Sequence, residues 1–267
     1  MIDKKKLNFL KEKVKFLKIE VLKMCLENGG HISSSFSTAE ILVYLYYNRI
    51  VNKRGNKFVI SKGHGEVLYF CLLADLGYFP KSWLKKNYRK NDCKLGGHVS
   101  SKTPGIEFSS GSLGHGLSFS AGLAYAKKKK NDFKKIFCLM GDGELNEGSV
   151  WEAAIFASKN DLSNLIGIVD YNKIGSSDFL KNYISDKPLA EAWEALGWKV
   201  DYVNGHDFIS LDKKINQIIK RKSKKPTVLI LDTIKGKGVS FIENDPIWHV
   251  KGLDLKLYNL AIKELRK

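Results

Sequence analysis

Two short polar segments of the sequence follow apolar runs of the kind that form buried strands. Gly141-Asp142-Gly143 comes after the run 136–140, and Asn172 comes after the run 165–169. Alone, the first segment is explained as well by a tight turn with a capping aspartate. Asn172 follows about thirty residues later, the span of one strand-helix-strand crossover, so the two side chains would project from neighbouring strand ends toward one point.

These two side chains have the chemistry of a magnesium site. Mg²⁺ prefers hard oxygen ligands in an octahedron and shares them with phosphate and water. A carboxylate, an amide oxygen and a main-chain carbonyl, joined by diphosphate oxygens and a water, would meet that demand. Gly143 would let the backbone approach a diphosphate that shares such a metal. A helix expected from about Glu147 would offer free amides and a positive dipole end in the same region. Ca²⁺ accepts the same kinds of ligand, so the sequence leaves both metals open.

Histidine is the other residue type whose surroundings suggest chemistry. All six histidines lie in loop-like sequence, most of them beside a glycine. Imidazole donates to phosphate, relays protons near neutral pH and hydrogen-bonds sugar hydroxyls. A single loop histidine is usually incidental, but a set of this kind favours an active site. The set is His31, His64, His98, His115, His206 and His249.

The elements that must position these residues alternate between strand and helix. A capping-box pattern, Ser37 to Glu40, precedes one expected helix, and Asp207 is expected to cap another, with His206 in the loop before it. Short apolar runs predict strands at 58–60, 136–140, 165–169, 199–203 and 227–231. Helical patterns predict helices over 7–21, 41–47, 113–128, 147–158, 189–196 and 253–265, and one between residue 65 and about residue 77.

This alternation predicts an α/β fold with a doubly wound, mainly parallel sheet and helices on both faces. In such a sheet, ligands bind beyond the carboxyl ends of the strands. The loops 61–65, 141–143 and 170–174 all fall at such ends. The sheet would therefore gather the aspartate, the asparagine and at least one histidine at a single edge.

Length, composition and charge narrow the class of protein. The chain has 267 residues, 43% of them hydrophobic, which suits one large domain. It shows no run of about twenty apolar residues and no signal-peptide core, so we expect no membrane span. The four cysteines have no close pair spacing, which favours buried thiols and a cytoplasmic protein over zinc ligation.

The net charge of +17 allows three interpretations: nucleic-acid binding, attraction of anionic small substrates, or a lysine-rich solvated surface. The lysines are scattered, and the runs 127–130 and 220–225 neither interleave with aromatic residues nor match a nucleic-acid motif. We therefore expect a solvated surface that also attracts phosphorylated substrates, and no nucleic-acid partner.

Together, these segments resemble the transketolase family in order and context. Asp142 between its glycines, followed by Asn172, is similar to the family's thiamine-diphosphate fingerprint. Further blocks of the family are similar to the segments 60–65, 73–79, 97–98, 102–107, 111–116, 140–148, 235–241 and 248–249. The resemblance covers nearly the whole chain and implies that residues 1–267 form one thiamine-diphosphate-binding domain.

The resemblance implies a set of cofactor and metal contacts. Asp142, Asn172 and the carbonyl oxygen of Ile174 would be the metal ligands. His64 and His249 would contact the diphosphate, His249 also lying near the reacting centre. The other expected cofactor contacts are Gly111, Leu113, His115 (near the aminopyrimidine), Gly141, Gly143 and Glu144.

It also implies substrate and interface roles. His31 and His98 would bind and protonate the C1–C2 hydroxyls and carbonyl of a ketose. Glu147 and Glu152 would lie at a subunit interface and link two active sites. The catalytic set implied by the resemblance is His31, His64, His98 and His249.

Full-length transketolases also carry a pyrimidine-binding domain, whose glutamate activates the cofactor, and a third domain. This sequence reaches Lys267 without either. The resemblance therefore implies a separate C-terminal partner subunit, and a heterotetramer with two copies of each chain. The implied reaction transfers a two-carbon ketol unit from a ketose phosphate to an aldose acceptor, with little activity from this chain alone.

Two other functions stay open. A different thiamine-dependent carboligase, similar to deoxyxylulose-phosphate synthase or acting on an unusual or nucleotide-linked sugar, would keep the same cofactor site. The segment 31–36 fits that alternative, because hydroxyls and Phe36 stand where relatives usually have more glycine and so narrow the substrate space. A non-catalytic binding subunit is the third interpretation, and it predicts loss of Asp142, Asn172 and the histidines.

Overall fold

A five-stranded parallel sheet forms the centre of the chain. The computed structural model describes residues 2–91, 93–176, 178–182 and 189–267. The strands are β1 (Lys57–Ile60), β2 (Ile136–Gly141), β3 (Leu165–Tyr171), β4 (Lys199–Asn204) and β5 (Thr227–Asp232). Their order is β1-β2-β3-β5-β4 and every pairing is parallel, which confirms the predicted doubly wound sheet.

Helices cover both faces of this sheet. They are α1 (Lys4–Asn28), α2 (Ile32–Phe36), α3 (Ala39–Tyr47), α4 (Glu66–Asp75), α5 (Ser82–Asn87), α6 (His115–Lys129), α7 (Gly148–Lys159), α8 (Leu189–Ala195), α9 (Phe208–Lys220) and α10 (Leu255–Arg266). Because side chains alternate along a strand, Phe137 and Leu139 pack with α1, α3, α4, α9 and α10, whereas Cys138 and Met140 pack with α6, α7 and α8. The central strands are buried on both sides, as parallel sheets require.

The predicted capping box at the start of α3 is wrong. Thr38 is the N-cap residue and makes no side-chain capping bond, and the helix begins at Ala39 rather than Ile41. The Ser37 hydroxyl instead donates to Asp170, and Glu40 pairs with Lys18. Both side chains are buried, so distant charged partners compete for them more strongly than the local backbone does.

Two short helices could not be predicted from the sequence pattern. α2 has five residues and α5 has six, too few to show an apolar period. α2 matters for the site, because it places His31 at its N-terminal end, between α1 and the loop after β1. In the described ranges no helix is both long and apolar enough to cross a membrane.

Candidate active site

The carboxyl ends of β2 and β3 bring Asp142 and Asn172 together. Gly141 pairs with Asp170 across the two strands, and Asp142 and Asn172 follow within two residues of that pair. The backbone N–H of Lys173, next to Asn172, donates to Oδ2 of Asp142 at 2.5 Å. The two polar side chains that the sequence placed on separate strand ends therefore lie in contacting loops.

These loops carry three kinds of oxygen. Asp142 supplies a buried carboxylate, Asn172 supplies an amide oxygen, and Ile174 supplies a main-chain carbonyl oxygen. The amide oxygen of Asn172 also accepts a hydrogen bond from the N–H of Ile174 at 3.2 Å. Burial and the nearby Asp170 raise the pKa of Asp142 to about 7. A carboxylate, an amide and a carbonyl oxygen form the hard donor set that Mg²⁺ and Ca²⁺ prefer. Among the described residues, no cluster of three or more His, Cys, Asp and Glu side chains offers a competing metal site.

Asp170 orients the asparagine of this set. The amide nitrogen of Asn172 donates to Oδ2 of Asp170 at 3.0 Å, which leaves the amide oxygen on the other side. The same carboxylate accepts from Lys62 Nζ at 2.5 Å, and the Lys62–Asp170 pair is almost wholly buried. Burial alone would raise the pKa of Asp170, but the Lys62 ammonium more than offsets it and the pKa stays below its usual range.

Four of the six histidines form one cluster next to these loops. The ring centroids of His31 lie 6.1, 6.0 and 5.5 Å from those of His64, His98 and His249. His64 and His249 are 5.2 Å apart. The sheet edge and α2 thus gather the four histidines that the resemblance singles out as catalytic.

The two histidines nearest the buried lysines are held neutral. Burial, followed by the charge of Lys62, lowers the pKa of His64 well below its ordinary value. Burial and the neighbouring Lys235 lower the pKa of His249 to about 3. At neutral pH each ring therefore has one N–H donor and one acceptor.

His31 has a carboxylate partner. Its Nδ1 lies 3.2 Å from Oε1 of Glu66, which is buried in the first turn of α4 and also accepts from the hydroxyl of Tyr88. Such a contact orients the ring and leaves Nε2 for another partner. No pattern in the sequence points to Glu66, because its partners lie 35 and 22 residues away.

Lys235 is a second residue that the sequence motifs did not single out. Its side chain is buried, and its Nζ lies 2.7 Å from the carbonyl oxygen of Gly175, 3.3 Å from that of Ile174 and 2.9 Å from Nδ1 of His249. Burial, with the charge of Lys62, lowers its pKa to about 8. The sequence did offer one signal for this residue: Lys235 lies between a predicted strand and a glycine, at the start of the segment 235–241 that resembles a block of the family.

Glu144 has internal partners rather than an open carboxylate. Its Oε1 accepts from the Gly114 N–H at 2.8 Å and from the Ser61 hydroxyl, and its Oε2 accepts from the Gly141 N–H at 3.1 Å. It therefore ties the loops after β1 and β2 to the start of α6. The cofactor contact that the resemblance implies for Glu144 stays a prediction.

The remaining expected contacts lie around the start of α6. Gly111 is exposed, Leu113 is partly buried, and His115 is exposed as the first residue of α6, so it does not lie in a loop. His115 makes none of the ring contacts that join the other four histidines. Gly114 has φ 85°, a left-handed conformation that a side chain would strain.

The helix expected from about Glu147 is α7, and a short turn separates it from Asp142. A 3₁₀ turn, Gly143–Asn146, follows Asp142, and α7 begins at Gly148 with Glu147 as its N-cap residue. The first turn of α7 lies against Gly114, whose carbonyl oxygen accepts from the Ser149 hydroxyl at 3.0 Å. The backbone amides that directly follow Asp142 therefore belong to the 3₁₀ turn, and that of Gly143 donates to Oδ1 of Asp142 at 2.8 Å.

A cavity of about 730 Å³ opens beside the three oxygens. Asp142, Asn172 and Ile174 line one side of it, and Trp151 and Leu189 contribute apolar wall. His31, His64, His98 and His249 are not among the residues that line this cavity.

A sequence model of the family described as "Transketolase, thiamine diphosphate binding domain" matches residues 9–264. The chain belongs to the transketolase family. A transketolase from Campylobacter jejuni has a similar fold, with a TM-score of 0.85 at 28% identity over 99% of this chain and 43% of that one.

Two of the relatives are about as long as this chain, and others are more than twice as long. An apulose-4-phosphate transketolase subunit from Actinobacillus succinogenes is 42% identical over 93% of this chain and 92% of its own length. The 6-deoxy-6-sulfo-D-fructose transketolase subunit SqwG from a Clostridium species is 35% identical over 89% of each. Human transketolase is 34% identical over 98% of this chain but 43% of its own length. The chain thus spans less than half of the full-length transketolases and most of the two subunits.

In this transketolase-family chain, Glu147 and Glu152 are both exposed at the start of α7. Nearby on the same helix, Ile155 and Phe156 expose 52% and 40% of their surface, and Phe119 on α6 exposes 39%. Large apolar side chains exposed next to one another are typical of contact surfaces. We call this surface, formed by Phe119, Glu147, Glu152, Ile155 and Phe156, the α6–α7 surface.

Proposed function

We propose that this chain is the thiamine-diphosphate-binding subunit of a split transketolase. With a C-terminal partner subunit, it would transfer a two-carbon ketol unit from a ketose phosphate to an aldose. Two relatives of matching length are named as transketolase subunits, and their coverage of 92% and 89% supports a chain of the same kind. Residues 1–267 would then form a single diphosphate-binding domain.

The observation that carries this proposal is the pairing of hard oxygens with buried cationic groups at one sheet edge. Asp142, Asn172 and the Ile174 carbonyl oxygen suit a divalent cation, which we propose is Mg²⁺, although Ca²⁺ suits the same oxygens. Lys235, buried next to Ile174 and His249, suits an anion that shares this cation. A diphosphate bound to a divalent metal satisfies both halves of the site.

Thiamine diphosphate, when bound, supplies a carbanion and an electron sink for cleaving and forming the ketose carbon–carbon bond. We propose that Asp142, Asn172 and Ile174 hold its metal and that His64, His249 and Lys235 contact its diphosphate. Gly141, Gly143, Gly111, Leu113 and His115 would line the adjoining wall. Glu144 would contribute by holding those loops in place.

The four-histidine cluster is proposed as the place where protons move. His31, oriented by Glu66, and His98, 6.0 Å away, would hydrogen-bond the ketose hydroxyls and carbonyl. His249 would hold a proton close to the reacting carbon, since its neutral ring offers one donor and one acceptor. The buried surroundings of His64 and His249 would exclude bulk water from this side of the site.

An anionic sugar is the substrate class that the chain suits best. The net charge of +17 raises the local concentration of phosphorylated sugars. The two subunit relatives are named for a sugar phosphate and a sulfonated sugar, both anionic. Ser33, Ser34, Ser35 and Phe36 are buried in α2, the helix that begins after His31, and we propose that this segment sets how closely a donor or acceptor sugar fits.

The partner subunit is proposed to complete the site. It would bring the pyrimidine-binding domain and the glutamate that activates the cofactor. The α6–α7 surface would contact a neighbouring subunit, with Glu147 and Glu152 between two active sites. Two copies of each chain would make a heterotetramer, working in the cytoplasm.

Reconstitution tests this proposal. The chain is assayed alone and with the partner subunit, using xylulose 5-phosphate or fructose 6-phosphate as donor, and pyruvate as the donor of the alternative carboligase. We expect ketol transfer only from the mixture and only with the ketose phosphates. Full activity of the lone chain would contradict the split arrangement, and a preference for pyruvate would favour the carboligase similar to deoxyxylulose-phosphate synthase.

A further inference from the structure

His206 lies outside the four-histidine cluster, and its ring joins two distant segments. It follows β4 and precedes α9. Its Nε2 accepts a hydrogen bond from the backbone N–H of Ile234 at 2.8 Å, and its Nδ1 lies 2.9 Å from Oε2 of Glu40. The ring therefore connects α3 to the loop that follows β5.

These two contacts define the protonation of the imidazole. A backbone N–H can only donate, so Nε2 of His206 must be the unprotonated acceptor. Nδ1 then carries the proton and donates it to the Glu40 carboxylate. The ring is neutral, in one tautomer assigned from its partners.

Glu40 extends the network to the same loop from a second direction. Its Oε1 lies 3.2 Å from Nζ of Lys18, and that ammonium also donates to the carbonyl oxygen of Lys237 at 2.8 Å. Lys18 and Glu40 are both buried. Charge is balanced in this network, because one ammonium faces one carboxylate while the imidazole stays neutral.

The network holds the loop on either side of Lys235. Ile234 is anchored by His206 and Lys237 by Lys18. Between these anchors, Lys235 directs its ammonium to the carbonyl oxygens of Ile174 and Gly175 and to His249. A shift of the Ile234 backbone would therefore move the ammonium that faces the proposed diphosphate site.

We propose that His206 is a positioning residue of the cofactor site. By accepting the Ile234 N–H it fixes the loop after β5, and through that loop it sets where Lys235 meets Ile174 and His249. It acts through the backbone and needs no contact with the cofactor. This inference rests on the proposed function, because it concerns the same site.

Two substitutions separate the two hydrogen bonds of the ring. His206→Gln places an amide oxygen near the position of Nε2, so it can still accept from Ile234 but loses the bond to Glu40. His206→Asn places an amide nitrogen near the position of Nδ1, so it can still donate to Glu40 but leaves Ile234 without its acceptor. If the only role of His206 is to hydrogen-bond Glu40, His206→Asn should resemble the wild-type chain more closely. If His206 positions the loop, His206→Gln should resemble it more closely.

The first measurement is hydrogen–deuterium exchange of the full chain without cofactor. We expect the amides of 234–238 to exchange about tenfold faster in His206→Asn, since one hydrogen bond is worth about that factor, and at close to the wild-type rate in His206→Gln. Amides of β3 and α9 in the same spectra report global opening, so a change confined to the loop is distinguished from loss of the fold.

The second measurement uses the chain with its partner subunit. We expect the KM for thiamine diphosphate to rise about tenfold in His206→Asn while kcat at saturating cofactor stays within about twofold, and both to stay near wild type in His206→Gln. Equal loop exchange in the two variants, or faster exchange in His206→Gln, would overturn the inference. Wild-type chain that binds no thiamine diphosphate would overturn the proposed function instead, and the exchange experiment would still decide the role of His206.

Discussion

Asp170 is the residue on which the polar contacts of the site converge. Its carboxylate accepts hydrogen bonds from Ser37, Lys62, Asn172 and Thr233, which come from four different segments of the chain. It is fully buried, so these donors replace its hydration entirely. Asp170 thereby fixes the amide of Asn172 without supplying an oxygen to the proposed metal.

Removing this charge tests how strongly the site depends on it. Asp170→Asn leaves the Lys62 ammonium buried without its counter-ion, and we expect the free energy of unfolding to fall by about 3–5 kcal/mol. Urea denaturation of the chain measures this change.

The matched control is another aspartate–lysine pair, exposed to solvent. Asp232 pairs with Lys173 at 2.9 Å, and their side chains are 67% and 56% exposed. Because water screens such a pair, Asp232→Asn should cost less than about 1 kcal/mol. A similar loss in the two variants would show that burial of the Lys62–Asp170 pair is not what stabilises this region.

At the scale of elements, the loops between strands and helices position the site. Gly114 at the start of α6 shows how closely they pack. Its φ is 85°, and an added Cβ would lie 2.5 Å from the Ser149 hydroxyl and 2.6 Å from Cβ of Glu147. The close approach of α6 and α7, and with it the fit of Glu144, depends on glycine at this position.

Gly114→Ala should therefore destabilise the chain by about 2–4 kcal/mol, from backbone strain and steric overlap together. Gly122 lies within α6 with no atom in the way of a Cβ, so Gly122→Ala should be neutral or stabilise by up to about 1 kcal/mol. Thermal unfolding of both variants measures the difference. A Gly114→Ala chain as stable as the Gly122→Ala chain would contradict the close packing of these two helices.

The end of α4 is tied to its neighbours by a carboxylate whose pKa is shifted. Asp75 accepts from Lys13 on α1, from Tyr47 on α3 and from Lys81. Burial raises the pKa of Asp75, but these three donors more than offset it and lower the pKa to about 2. A carboxyl group with a pKa lowered by folding stabilises the fold above its unfolded pKa, and this contribution is lost as the pH falls toward the folded value.

We therefore expect Asp75→Asn to lower the free energy of unfolding by about 1 kcal/mol at neutral pH, after allowance for screening by solvent. The difference from wild type should shrink between about pH 4 and pH 2. Urea denaturation at a series of pH values measures it. A difference that stays constant across this range would show that the charge of Asp75 is not responsible.

Strands and helices with a strong apolar pattern could be predicted from the sequence, and so could the edge of the sheet at which the strand-end loops meet. The apolar runs located all five strands of the sheet to within about two residues, because strands that are buried on both faces appear in the sequence as continuous apolar runs. The same reasoning placed Asp142 next to Asn172. It could not find the partners of Asp170, Glu66 or His206, since a buried polar contact depends on which distant segments the fold brings together.

For the molecule as a whole, the candidate site lies at the carboxyl ends of β2 and β3. Asp142 lines a cavity of about 730 Å³, and the histidine cluster includes His64 and His249, whose rings are 5.2 Å apart. The chain covers 43% of human transketolase, so that protein has more than twice the length in which to complete a site. Our proposal that a partner subunit completes the site is supported by the two relatives of matching length, which are named as transketolase subunits.

The central claim is that Asp142, Asn172 and the Ile174 carbonyl oxygen bind a divalent cation that holds a diphosphate. The direct test uses calorimetry to measure the binding of thiamine diphosphate to the chain mixed with its partner subunit, with and without Mg²⁺. We expect binding with Mg²⁺, a loss of about a hundredfold in affinity after chelation, and a comparable loss in Asp142→Ala. Binding that is unchanged by both chelation and Asp142→Ala would contradict the account.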